Sequence, residues 1–172
     1  MSATSTEFDS EGFLTEVQEA GFRYFYNYAY PESHLPREGI KAKKSWHPKL
    51  MSAVSTGMYF FNIAVGIERG FITRAEGAAH TEVLLNFLHD KTDRFYGAYP
   101  HWIDGASGKV RPFSSTDSGA DLVESGIVAE GLIFAREYFD KDTTAESNIR
   151  KISDKLWKEI QWDCLLYTSD AA

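Results

Sequence analysis

Two kinds of helical segment alternate along this chain, and that alternation restricts the folds open to it more than any other feature. From about Ser10 to Tyr28, Leu14, Val17, Gly21, Phe25 and Tyr28 recur at helical spacing, with Glu11, Glu16, Gln18 and Glu19 elsewhere. That is an amphipathic helix. Met58 to Ile67 is apolar nearly all round, interrupted only by Asn62 and Gly66, which predicts a helix buried on all sides and capped at Gly70. Thr73-Arg74-Ala75-Glu76 has the form of a capping box. The helix it opens carries Ala78, Thr81, Leu85 and Leu88 on one face, with His80, Glu82, Asn86 and His89 off it. Those two histidines do not share a face at ligand spacing, so no metal site is expected there. A fourth helix, about Ser118 to Tyr138, is again apolar on most sides, and Gly119, Gly126 and Gly131 would let neighbouring helices approach closely. The fifth, from Thr144, has a clean stripe of Ile149, Ile152, Leu156 and Ile160.

The connections show a second regularity. Those leading into the apolar helices are long, 31–54 and 92–116, while those leading out are only a few residues. Outer and inner antiparallel helices in alternation produce that pattern, so the fold class is all-α, an α/α toroid of about five helices and therefore incomplete. Both long loops and both inner-helix N-termini then fall at one end, where loops on a rigid scaffold carry function and helix N-termini carry positive potential. Asp104-Gly105 and Ser107-Gly108 add turn chemistry that predicts a short hairpin within the second loop.

At 172 residues and 43% hydrophobic, the chain can build one real core. A net charge of -7 excludes nucleic acid as a partner, because the only basic cluster, Lys41, Lys43 and Lys44, is a loop and not a stripe along the backbone of a duplex. No apolar run is long enough for a membrane span. Met1-Ser2-Ala3-Thr4-Ser5-Thr6 has neither a charged n-region nor an apolar h-region, so no secretory signal is visible and the cytoplasm is the default. Aromatic residues reach 15%, an excess that suits either a core or sugar-stacking surfaces.

The chemistry is expected in Ser114-Ser115-Thr116-Asp117-Ser118-Gly119-Ala120-Asp121-Leu122-Val123-Glu124. If the helix begins at Ser118, Asp117, Asp121 and Glu124 stand at i, i+4 and i+7 and share one face. Carboxylates at the mouth of a buried helix are what acid/base cleavage of a glycosidic bond needs. The same residues also read as an ordinary N-cap and dipole-favoured acids of a first turn, and the local pattern alone leaves both readings open.

Three segments carry a resemblance: Ser55-Thr56-Gly57 through Val65-Gly66-Ile67-Glu68-Arg69-Gly70-Phe71-Ile72-Thr73-Arg74; Tyr99-Pro100-His101-Trp102-Ile103-Asp104; and Asp117-Ser118-Gly119-Ala120-Asp121-Leu122-Val123-Glu124. In these the chain resembles the bacterial glucoamylase-like family that includes endo-β-1,2-glucanases, over roughly residues 10–163. The resemblance implies an (α/α)6 barrel of which this is the N-terminal part, and hydrolysis of a glucan, most plausibly β-1,2-glucan, by inversion. It implies Asp117, Asp121 and Glu124 as catalytic residues, and Arg37, His101, Trp102 and Asp104 as contacts to an oligo- or polysaccharide partner. No metal or organic cofactor is expected, and a monomer is expected at full length. Family members are often periplasmic. Two other readings stand beside hydrolysis: a transglycosylase domain like those of cyclic β-1,2-glucan synthases, and a non-catalytic carbohydrate-binding helical domain.

Both ends are set apart. Residues 1–9 are polar and expected to fray, and 164–172, Cys164 through Ala172, read as translated sequencing adapter and not native protein. Family members tend to have an aromatic residue after Trp162-Asp163, where this chain has Cys164. An incomplete ring is expected to expose inner-helix faces such as Met58 to Ile67 and to be poorly soluble and inactive by itself.

Overall fold

A computed structural model describes residues 9–39, 48–116 and 118–166. Among them run five long helices and one short one: α1 (Ser10–Asn27), α2 (Ala53–Glu68), α3 (Arg74–Asp90), α4 (Leu122–Tyr138), α5 (Thr144–Lys158) and α6 (Trp162–Leu166). The last enters the stretch set apart above as adapter. Between the helices, β1 (Leu50–Ser52), β2 (Trp102–Asp104) and β3 (Val110–Arg111) form one antiparallel sheet in that order. No described helix is long and apolar enough to cross a membrane.

The two apolar helices are the inner pair, as the alternation predicts. α2 packs on α4, α1 lies against α2, and α5 bridges α4 and α3. Glycine sets the closeness of the inner pair. A Cβ at Gly57 would stand 2.3 Å from the backbone oxygen of Ile127, and one at Gly131 would stand 2.4 Å from that of Gly57. Gly119 and Gly126, expected to serve the same purpose, have open space instead. Gly70 takes φ +72° behind α2, where the Phe71 N–H reaches the Gly66 carbonyl and the Gly70 N–H that of Ile67, a Schellman ending. Thr73 and Glu76 close the capping box of α3 reciprocally.

Several faces differ from the pattern read in the sequence. α1 packs through Phe22, whose ring lies where a Cβ of Gly66 would be, while Leu14, Val17 and Tyr28 are exposed. The periodicity located an apolar face correctly spaced but rotated from the one α2 covers. α2 is not enclosed on all sides either: Met58 is 41% exposed. The hairpin of β2 and β3 forms as the turn residues predict, with Trp102 opposite Arg111. The third strand, β1, was not anticipated within 31–54; it adds Ser52 opposite Trp102 and leads straight into α2.

His80 is not simply off the packed face of α3. It lies under the loop after α1, stacked on His34 at 3.7 Å and 4.5 Å from the Tyr26 ring, with its Nδ1 2.6 Å from the hydroxyl of fully buried Tyr59. His34 takes φ +57° to get there, and its own Nδ1 lies 3.1 Å from the His80 carbonyl oxygen. Burial first, then the neighbouring His34, pushes the His80 imidazole down to about 3. A depressed histidine stabilises the fold fully above its unfolded value of about 6.5 and progressively less as pH falls toward the folded value. The His80 contribution to urea-unfolding stability is therefore expected to fall from pH 6.5 to 5 with a slope of at most one proton, about 1.4 kcal/mol per pH unit, read as the difference in slope between the wild type and His80→Phe. His80→Phe should flatten that slope; an unchanged slope would count against the buried neutral imidazole.

Candidate active site

The site forms where β2 passes the N-termini of α2 and α4. Residues 120–121 do not begin a helix. The Asp121 N–H bonds to the Tyr99 carbonyl at 2.9 Å, Ala120 bridges Pro100, and Asp121 sits at φ -116°, ψ 126°, an extended conformation. Asp121 is thus the N-cap of α4, its carboxylate accepting the Glu124 N–H at 3.0 Å. The expected start at Ser118 is corrected to Leu122, because pairing with the strand-like 99–100 segment outcompetes the first helical turn. With it goes the expected stacking of three acids on one helical face. Asp121 and Glu124 come together as cap and third helical residue, and Asp117 lies outside the described residues.

Glu124 does not complete a capping box. Its side chain crosses to α2, where Oε2 accepts the Val54 N–H in a short hydrogen bond. The neighbouring donors of that helix end are also taken: Ala53 N–H by the His101 carbonyl at 3.2 Å and Ser55 N–H by the Ser52 hydroxyl at 3.3 Å. Glu124 is therefore held between two helix N-termini, and is only 5% exposed, while Leu122 and Val123 beside it face outward. Burying an acid and exposing its apolar neighbours reverses the usual preference of a helix.

His101 joins the pair. Its Nδ1 lies 3.4 Å from Asp121 Oδ2 and 3.4 Å from Glu124 Oε1. Burial raises the Glu124 carboxyl above the ordinary carboxylate value; the Val54 N–H and His101 oppose this, and the charges of Asp121 and Glu38 add to it. Burial is the largest cause of the rise, ahead of the neighbouring carboxylates. Glu38 reaches Glu124 electrostatically from a backbone position paired to β1, its N–H 3.0 Å from the Leu50 carbonyl.

The remaining expected contacts divide. Trp102 lies beside the pair, its ring 5.5 Å from that of His101. Asp104 is turned into the hairpin: one oxygen accepts Ala106 N–H, Ser107 N–H and the Ser107 hydroxyl, and the other takes the Arg111 guanidinium at 2.9 and 3.2 Å. Burial opposes its ionisation, and the bonds from Ser107, Ala106 and Arg111 hold its carboxyl below the ordinary value all the same. Arg37 donates to the carbonyls of Tyr28 and Pro48 and lies over the Tyr30 ring, fastening the loop that carries Glu38. Trp46 and His47 of the same loop lie outside the described residues.

No family model matches the chain. Individual proteins do. Over 163 residues it is 42% identical to an exo-β-1,2-glucooligosaccharide sophorohydrolase of Parabacteroides distasonis, covering 94% of this chain and 22% of that protein. The endo-β-1,2-glucanase of Chitinophaga pinensis, solved with sophorotriose and glucose, superposes with a TM-score of 0.82 at 34% identity, over 90% of this chain and 38% of that one. A glucoamylase-like protein of Bacteroides fragilis gives a TM-score of 0.85 at 33% identity, over 94% and 39%. The chain thus spans well under half the length of these relatives. Over the length it spans, it is similar in sequence and fold to that sophorohydrolase, that endo-β-1,2-glucanase and that glucoamylase-like protein.

Proposed function

We propose that this segment is the N-terminal part, over 10–163, of an (α/α)6 glycoside hydrolase whose substrate is β-1,2-glucan. The observation that carries the reading is the buried Glu124, raised in pKa and shared with Asp121 through His101 at the mouth of the inner helices. A carboxyl that stays protonated closer to neutrality can protonate the leaving glycosidic oxygen. Asp121, more open to solvent than Glu124, positions the sugar or water, and Asp117 takes part from the same segment. The relatives act on β-1,2-linked glucose, which supports the substrate class.

Analysis of products from linear β-1,2-glucan tests this in the full-length protein. Shorter linear chains with new reducing ends are expected; cyclised or elongated chains would favour transglycosylation instead. Asp121 allows its capping and chemical roles to be separated, because asparagine caps a helix as well as aspartate. Asp121→Asn is expected to melt normally yet lose activity on the order of a hundredfold. Normal activity in that variant would reduce Asp121 to a cap.

A further inference from the structure

The hairpin places one more side chain at the site, and neither the acid pattern nor the expected contacts included it. Two residues past β3, Phe113 folds back so that its ring lies 4.4 Å from His101 and 4.8 Å from Trp102. It meets both rings at tilted angles, 52° and 44°, so neither covers it by flat stacking. It remains 49% exposed. The hairpin beneath it is rigid: Asp104 ties the turn at Ala106 and Ser107 to Arg111 on β3, and the Asp93 carboxylate accepts the Val110 N–H at 3.2 Å. An exposed phenyl ring on so firmly held a strand end buries too little to be explained by packing. Through His101 it is one aromatic ring away from both Asp121 and Glu124.

We propose that Phe113, backed by Trp102, is the platform on which a glucosyl unit of the bound chain stacks next to the acid pair; this rests on the hydrolase reading above. A β-glucopyranose has its hydroxyls equatorial, so its faces present axial C–H bonds while its rim carries the polar groups. Such a ring matches this corner of the protein: its face meets the open side of the phenyl ring, and its rim meets His101 and Asp121. Phe113 carries no ionisable group and neither gives nor takes a proton. Its contact is made equally in the ground and transition states, which is uniform binding, seen in KM and not in kcat.

The test uses the full-length protein with sophorotriose, measuring both turnover and equilibrium binding by calorimetry. Phe113→Ala is expected to raise KM and Kd roughly tenfold, the effect of losing one aromatic face of contact. kcat should move less than about twofold, and Phe113→Tyr, which keeps the face, should restore affinity. Unchanged KM and Kd in Phe113→Ala would overturn the proposal. So would a loss that follows a lowered melting temperature and is not restored by tyrosine, since that is a packing role. Binding that depends on Phe113 without any hydrolysis by the wild type would keep the platform and remove the hydrolase reading. Hydrolysis indifferent to Phe113 would do the reverse, and absence of both binding and turnover would remove the two together.

Discussion

Glu124→Gln is expected to lower kcat/KM for β-1,2-gluco-oligosaccharides roughly a thousandfold while making the protein more stable. The loss follows from the proton: glutamine fills the same space and can still accept the Val54 N–H, but it has no proton to give a leaving oxygen. The gain follows from the burial that raises the carboxyl's pKa. A folded state that favours the protonated acid is penalised once the acid ionises, so wild-type stability falls as pH rises through the raised value. Glutamine has no such penalty, and the stability difference between variant and wild type should widen from acidic toward alkaline pH. In the wild type, kcat/KM should decline on the alkaline side with an apparent pKa above that of an ordinary glutamate. Activity versus pH together with denaturant midpoints of both proteins checks this. A Glu124→Gln protein that remains active, or that loses stability at every pH, would mean that Glu124 is a structural anchor of α2.

The second large effect belongs to the inner helix pair. Gly57→Ala is expected to cost about 3 kcal/mol or more, because the new methyl meets the Ile127 backbone and not a side chain that can turn aside. Relief would require α2 and α4 to separate, and Val54 and Glu124 lie on those two helices one turn from the contact. A destabilised Gly57→Ala protein should therefore also lose alignment of the site. Gly126→Ala, on the partner helix α4 with open space around it, is the control and should be neutral or stabilising by up to about 1 kcal/mol, since alanine is the better helix former. Equal effects of the two substitutions on the denaturant midpoint would contradict the close-approach account.

Much of this was legible in the residues because it depends on local rules. The alternation of amphipathic and apolar segments gave the outer and inner helices, and Gly70, Thr73 and Glu76 marked ends that the structure has as capped. What the pattern missed was decided between elements. Helical spacing could not foresee that residues 120–121 would pair with 99–100, and so it put Asp117, Asp121 and Glu124 on one helix. It could not separate Gly131, which meets α2, from Gly119 and Gly126, which meet nothing, because the difference lies in what a neighbouring helix brings. Phe113 and His34 carry no periodic signal, since loops deliver them, and the partner of His80 on α3 comes from such a loop. Asp104 stood among aromatic residues beside a turn, and the turn was the true signal: an aspartate before a glycine, three residues ahead of a serine, is fully occupied in closing its own hairpin.

If this buried acid pair belongs to a β-1,2-glucan hydrolase, the full-length protein releases reducing ends from linear β-1,2-glucan and none from starch assayed alongside. Silence on both would contradict it and leave Asp121 and Glu124 as groups that cap helices or hold a sugar without cleaving it.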